Sequence, residues 1–195
     1  YSYSHAATSA DFWQIPDFGG PDFTWTGAGE GDAVGTAGNW EGGSAPSRVD
    51  NKGPHLIFNG VDVTVTGTPP NTSDGGGISV TGNGSVSVGL GQWGGNVYVE
   101  KGSSLTTSFG TQLKNMEPEG HANIYVDGTL NMTTPGGNLN FDNGTGADNH
   151  YWHIGLDGMI NLSNTTTITK NAKTWNVEVV VASAMEELAV TNREM

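Results

Sequence analysis

From Leu56 onward apolar and polar residues alternate, in Val61-Asp-Val-Thr-Val65, Ile78-Ser-Val80, Val86-Ser-Val88, Val97-Tyr-Val99, Ile124-Tyr-Val126 and Ile160-Asn-Leu162. Successive side chains on a strand point to opposite faces, so period two with β-branched residues predicts strands. Three windows superpose, Asn96–Thr106, Asn123–Thr133 and His153–Ser163, each reading as strand, acidic-Gly corner, strand. Val97, Ile124 and Ile154 hold the same place in the three windows, with Ile78 preceding them at a shorter interval, a pattern that predicts Val97, Ile124 and Ile154 stacked on one another. Repeats of this length build stacked coils, in which each coil buries its inward side chains only against the next. The expected fold is all-β, a right-handed parallel β-solenoid of about four or five coils over residues 50–172, capped by residues 24–49. A β-sandwich or jelly roll is the alternative, because period two and Gly turns occur there too.

The flanks break this pattern. Residues 1–23 carry Tyr1, Tyr3, Phe12, Trp13, Phe18 and Phe23 without a steady period, which predicts an extended aromatic arm preceding a domain over 24–172. Residues 173–195 form a C-terminal strand and tail. Trp175-Asn-Val-Glu-Val-Val-Val181 is strongly strand-forming, and Ala182–Leu188 reads as helical around Met185 and Leu188. Aromatic and apolar groups in such density gain about 1.5–3 kcal/mol each when buried. Tyr1, Tyr3, Phe12, Trp13, Phe18 and Phe23 at one end, and Trp175, Val177, Val179 and Val181 at the other, are therefore the residues expected at a subunit joint, the alternative being that both segments fold back and cap their own domain. Docking of one end on the other would be head-to-tail and would build filaments or rings.

Composition narrows the function. Gly, Asn, Ser and Thr supply 85 of 195 residues, whereas charged residues make up 14%. Such a surface of hydroxyls and amides suits an extracellular, secreted or cell-surface protein. A net charge of -13 opposes nucleic acid and anionic lipid as partners. No apolar run approaches the roughly 18–20 residues that cross a bilayer, and Tyr1–Ala10 lacks the basic start and apolar centre of a signal peptide. The absence of cysteine removes disulfides and thiolate metal sites.

Thr24-Trp-Thr-Gly-Ala-Gly-Glu-Gly-Asp32, followed by Gly38-Asn-Trp40, Gly42-Gly43, Ala45-Pro46, Asp50 and Ile57-Phe58, forms a recognisable opening. It resembles that of bacterial extracellular proteins carrying autotransporter-associated β-strand repeats or a PEP-CTERM sorting tail. Asp127-Gly-Thr-Leu-Asn-Met and Asp157-Gly-Met-Ile-Asn-Leu resemble the rungs that follow in those proteins. The resemblance spans residues 24–165 and implies a surface-displayed β-solenoid with a structural or adhesive role. The terminal Pro-Glu-Pro, apolar helix and basic end of the sorting tail are not in the sequence. On the residues alone, Trp25 and Trp40 are expected to close one end of the stack, which would otherwise expose apolar surface and strand edges.

Candidate chemistry is sparse. His150 and His153, with His121, invite a metal site, but residues three apart on a strand face opposite ways. Asp142, Asn143 and Asp148 share a Gly-rich loop of hard oxygen donors, which makes calcium the one ion to consider; a plain Asx-rich turn explains the same residues. No other cofactor is expected. Glycoside hydrolysis needs two carboxylates facing one bond about 5–9.5 Å apart, and elimination needs a base with a cation beside it. The two arginines, Arg48 and Arg193, lie in flanking segments, and Asp127 and Asp157 sit in corners that a turn explains, so no enzyme is expected. Trp93, Tyr98, Tyr125, Tyr151 and Trp152 offer rings for glycan stacking. Tyr98 and Tyr125 occupy equivalent places and are expected to point outward in a ladder, a common way of stabilising successive strands. Thr64, Thr66 and Thr165–Thr169 form threonine rows that do not recur in each repeat, and Asn71, Asn83, Asn131, Asn143, Asn161 and Asn164 head Asn-x-Ser/Thr sequons. The expectation is a non-catalytic structural or adhesive protein that partners itself, with glycan binding or polysaccharide degradation as the alternatives.

Overall fold

The computed structural model describes residues 17–70, 76–93, 95–114, 123–133, 138–142, 149–163, 167–170 and 174–179. Strands dominate: β1 (Asp22–Thr24), β2 (His55–Asn59), β3 (Asp62–Val65), β4 (Gly77–Thr81), β5 (Ser85–Trp93), β6 (Asn96–Val99), β7 (Ser104–Lys114), β8 (Asn123–Val126), β9 (Thr129–Thr133), β10 (Asn138–Asp142), β11 (Asn149–Ile154), β12 (Met159–Ser163), β13 (Thr167–Lys170) and β14 (Thr174–Val179). Two short 3-10 turns, Ala37–Asn39 and Glu41–Gly43, are the only helical elements among the described residues. The protein is all-β, as its shortage of helix formers requires.

The strands form two sheets. The first runs β1-β2-β4-β6-β8-β11-β14; in the second, β3 pairs with β5 and β5 with β7, after which β7 pairs with both β9 and β10, which continue to β12 and β13. Every ladder between these strands is parallel. The antiparallel pairing of a sandwich or jelly roll does not occur among them. β9 and β10 share β7 because β7 is long enough for both: Ser104–Ser108 take β9, and Gln112–Lys114 take β10.

Alternation fills the core with columns. Leu56, Ile78, Val97, Ile124 and Trp152 form one, and Phe58, Val80, Val99, Val126 and Ile154 a second. Facing them from the other sheet are Val63, Val86, Leu105, Leu130 and Ile160, and beside those Val65, Val88, Thr107, Met132 and Leu162. Most of these side chains are fully buried. Thr107 is the polar intruder, buried among Val88 and Met132 in register, with no hydrogen-bond partner for its Oγ1 among the described residues.

One register expectation is corrected. Val97 does pair with Ile124, but Ile124 pairs with Trp152, and Ile154 stands beside Val126. The cause is corner length. The corners from β6 to β7 (100–103) and from β11 to β12 (155–158) are long, whereas that from β8 to β9 (127–128) is short by two positions. A superposition at constant corner length is therefore right on one sheet and two positions out on the other. Thr129 does pair with Met159, its equivalent in the next window, while Leu105 pairs with Leu130 and not with Met132.

Residues 17–49 lie against the start of both sheets. The Trp25 and Trp40 rings meet edge to face at 5.0 Å, and both reach Phe58, at 5.7 and 5.8 Å. The Trp40 Nε1 donates to the Val34 carbonyl at 2.8 Å. Asn39, fully buried, accepts from the Gly29 N–H at 2.9 Å and donates through Nδ2 to the carbonyls of Gly31 and Ala33. The segment is tied to the second sheet by the Val34 N–H to the Thr66 carbonyl and the Thr66 N–H to the Asp32 carbonyl. The Gly38-Asn-Trp40 part of the opening pattern thus has a physical reading: an amide that satisfies three loop backbone groups beside a ring that fills the core.

Candidate functional site

Three groups of side chains combine chemistry with position. The first is Asp22, His55 and Ser79. Asp22 lies on β1, His55 opens β2 opposite it in register, and Ser79 is on the next strand, β4. The His55 Nδ1 is 2.8 Å from the Asp22 Oδ1 and its Nε2 2.9 Å from the Ser79 Oγ. Acid, imidazole and hydroxyl are thus linked in the order of a nucleophilic triad. Access decides against that chemistry. Ser79 is 4% exposed, and the Phe18 ring lies flat on the imidazole at 3.6 Å, so a carbonyl has no approach to the Oγ. What the relay does is fasten residues 17–24 to the first sheet. Burial lowers the His55 pKa from its ordinary value, against the smaller raising influence of Asp22.

The second group is a notch of about 720 Å³ lined by Asn83, Glu100, Lys101, Asp127, Asp157 and the corner backbone around them. Its shape follows from the corner lengths above, since the short corner at 127–128 is recessed between longer neighbours. Gly128 has no room for a Cβ, which would strike the carbonyl oxygens of Glu100 and Ser103. Lys101 bridges the notch to reach the Asp157 Oδ2 at 2.6 Å. The Asp127 carboxyl is held above its usual range, chiefly by burial, then by the charge of Asp157, with Lys101 opposing. The notch can accept hydrogen bonds from a polyhydroxylated or cationic group. Among the described residues no group of three or more His, Asp or Glu side chains is arranged to hold a metal ion.

The third is a column on the outer face of the first sheet, Ser79, Tyr98, Tyr125 and His153 in register. Tyr125 and His153 stack at 4.6 Å and 10°. Stacking covers ring faces and leaves edges, which removes the flat surface a sugar ring would lie on. Tyr98 and Tyr125 stand in register on the outer face, in the ladder expected of them, and Tyr98 is 8% exposed, with burial raising its hydroxyl pKa. Trp152, also expected among the glycan-facing rings, takes the core position beside Ile124 and is 4% exposed. Trp93 is the last residue of β5 and Tyr151 lies on β11 beside Asn123.

Of the residues expected at a subunit joint, Phe18 and Phe23 pack within their own chain, on His55 and Trp40. Trp175, Val177 and Val179 lie on β14, paired with His150, Trp152 and Ile154 of β11. Tyr1, Tyr3, Phe12, Trp13 and Val181 lie outside the described residues, as do His121 and, of the calcium loop, Asn143 and Asp148; Asp142 ends β10. Trp25 and Trp40 sit together where the sheets begin. Sequence reasoning missed Asn39, His55, Ser79 and Lys101. Only Asn39 had a local signal, its place between Gly38 and Trp40; the partners of the others are distant in sequence. No protein-family model matches the chain, and no curated protein or solved structure does either.

Proposed function

We propose that the chain is a non-catalytic structural and adhesive component of an extracellular bacterial surface, built as a right-handed parallel β-solenoid and acting by assembly. One observation carries the reading. From β2 to β11 each strand of the first sheet is followed in the chain by one of the second, and β2-β4-β6-β8-β11 and β3-β5-β7-β9-β12 each pair parallel from one strand to the next. Such a stack is long, rigid and quasi-one-dimensional, the geometry of a spacer or a layer. Side chains of the outer face continue it, with the Asn161 Nδ2 donating to the Asn131 Oδ1 at 2.9 Å and Asn131 to the Thr106 Oγ1 at 3.3 Å. The surface location draws on the hydroxyl- and amide-rich composition and on the resemblance of residues 24–58 to surface-displayed proteins. The glycan-binding alternative is favoured by the polar notch alone.

A glycan array and a reducing-sugar assay with common polysaccharides, both on the purified chain, test this. The expected result is no sugar release and no selective binding. Selective glycan binding by a monodisperse monomer would replace this reading with a glycan-binding module.

A further inference from the structure

The outer faces of the two sheets differ in kind. That of the first carries Tyr98, Tyr125 and His153 and is partly covered by Phe18, whose ring fills the space where Gly77 has no side chain. Where β3, β5, β7, β9 and β12 pair with one another, the outer face of the second has no ring at all. Threonine alone does not recur in each repeat, but with the strands in register a hydroxyl or amide does. Thr64, Ser87, Thr106, Asn131 and Asn161 form one column across the five strands. Ser85, Ser104 and Thr129 run along one side of it, and Ser108, Thr133 and Ser163 along the other. Thr64, Ser85, Thr106, Asn161 and Ser163 are exposed, and the others are half-buried between them. Bonds from strand to strand fix these groups in place. The Ser104 Oγ donates to the Ser85 Oγ at 2.9 Å, and the Thr133 Oγ1 and Ser163 Oγ lie 3.0 Å apart, flanking the Asn161–Asn131–Thr106 chain of the middle column. Asp62 is the one charged residue on this face and stands on its first strand, β3.

We infer that this face binds ice. Its ligand is uncharged, because the columns are neutral in a chain of net charge -13. The ligand is not a stacked sugar, because the face offers no aromatic ring. It repeats in two dimensions, because the polar atoms stand on a grid of about 4.8 Å from strand to strand and about 6.6 Å between alternate residues of one strand. An ice face meets all three conditions: it is neutral, it consists of hydrogen-bond donors and acceptors, and its oxygen rows repeat at close to the strand spacing. Hydroxyl groups donate and accept as water does, so water over the grid can take lattice positions. The side-chain bonds already made remove the ordering cost that free rotamers would add on binding. A charged group in the middle of the grid would instead hold a hydration shell of its own that no lattice matches. The inference goes beyond the reading of the chain as an assembling component and stands without it, since one copy carries the whole grid.

Uptake of the fluorescently labelled full chain into slowly grown ice, with serum albumin as the passive control, tests the face, together with recrystallisation of ice in the same buffer. The chain should be enriched in the ice and should arrest grain growth. Thr106→Lys at the centre, and independently Ser87→Lys beside it, should return both readouts to the albumin level with an unchanged circular dichroism spectrum. Val49→Lys, at a position exposed but off the face, should change neither. A chain excluded from ice like albumin overturns the proposal. Uptake indifferent to both variants places the ice contact elsewhere and overturns it too. Retention on microcrystalline cellulose or chitin without enrichment in ice likewise sinks it and assigns the grid to a polysaccharide. None of these readouts depends on the number of subunits, so failure here leaves assembly to its own test.

Discussion

The start and the far end of the strand stack are made of similar β-branched and aliphatic residues, yet they are finished differently. At the start a loop of Gly and small polar residues brings two tryptophans, Val34 and a buried Asn39 over Phe58 and Val65. The far end of the second sheet has no such cover among the described residues, and Leu162, last of the inner column, is 38% exposed. A parallel stack has no intrinsic way to stop: its last strand offers the same edge and the same apolar column as every strand before it. Finishing an end therefore needs residues of another kind, and at the start these are Asn39 for loop backbone and tryptophan for area.

The largest effect should come from the covered end. Trp40→Ala removes a ring that touches Trp25, Phe23 and Phe58, and should cost about 3–5 kcal/mol in urea unfolding. A loss below about 1 kcal/mol would mean the loop is decoration. Next, the core column itself can be probed at two depths. Leu130→Ala should cost about 2–5 kcal/mol, because its site is sealed. Leu162→Ala should cost under about 1 kcal/mol, since the side chain already sees water. Equal costs would erase the contrast between buried middle and open end.

A smaller change sits halfway along the same column. Thr107→Val replaces a buried, unpartnered hydroxyl with a methyl and should raise stability by about 1 kcal/mol. A gain seen in the urea midpoint shows that the middle unfolds together with the ends; a silent variant separates them.

The smallest effect is a pH dependence at the covered end. The fold holds the pKa of His55 below its ordinary value, mainly through burial, so the unfolded chain binds the proton more readily. The stabilisation is complete above the ordinary value of 6.5 and is lost as pH falls through the lower folded value. Proteolysis between residues 17 and 24 should accelerate between pH 7.5 and 5.5, and His55→Gln should flatten that dependence. Equal acceleration in both proteins would place the sensitivity elsewhere.

Much of the architecture is legible because strand alternation is local. Val97-Tyr-Val99 and Ile124-Tyr-Val126 need only period two to be recognised, and the two do pair in the expected register. Ile154 is misplaced by the same reading because nothing in Asp127-Gly128 and Gly155–Gly158 announces that one corner is shorter than the other. Corner length is set by how the backbone closes against its neighbours, a non-local condition. Tyr98 illustrates a second limit, as the alternation gives the face of a strand and not what lies over it. The Asp22–His55–Ser79 relay is illegible for a similar reason, its members being 33 and 24 residues apart on three strands.

The parallel order of the first sheet also has a mechanical consequence. β1 and β14 stand at opposite ends of its strand order. Tension between them therefore acts across the ladders, and it peels hydrogen bonds away one strand at a time instead of shearing a whole ladder at once. From β2 to β14, register partners in adjacent strands are one repeat apart. A repeat of about 20–30 residues, once released, would lengthen the chain by roughly 60–100 Å at the contour length of an extended backbone. A molecule pulled this way should yield in steps of one repeat, beginning at a strand that ends the sheet. Work would then be dissipated strand by strand along the sheet.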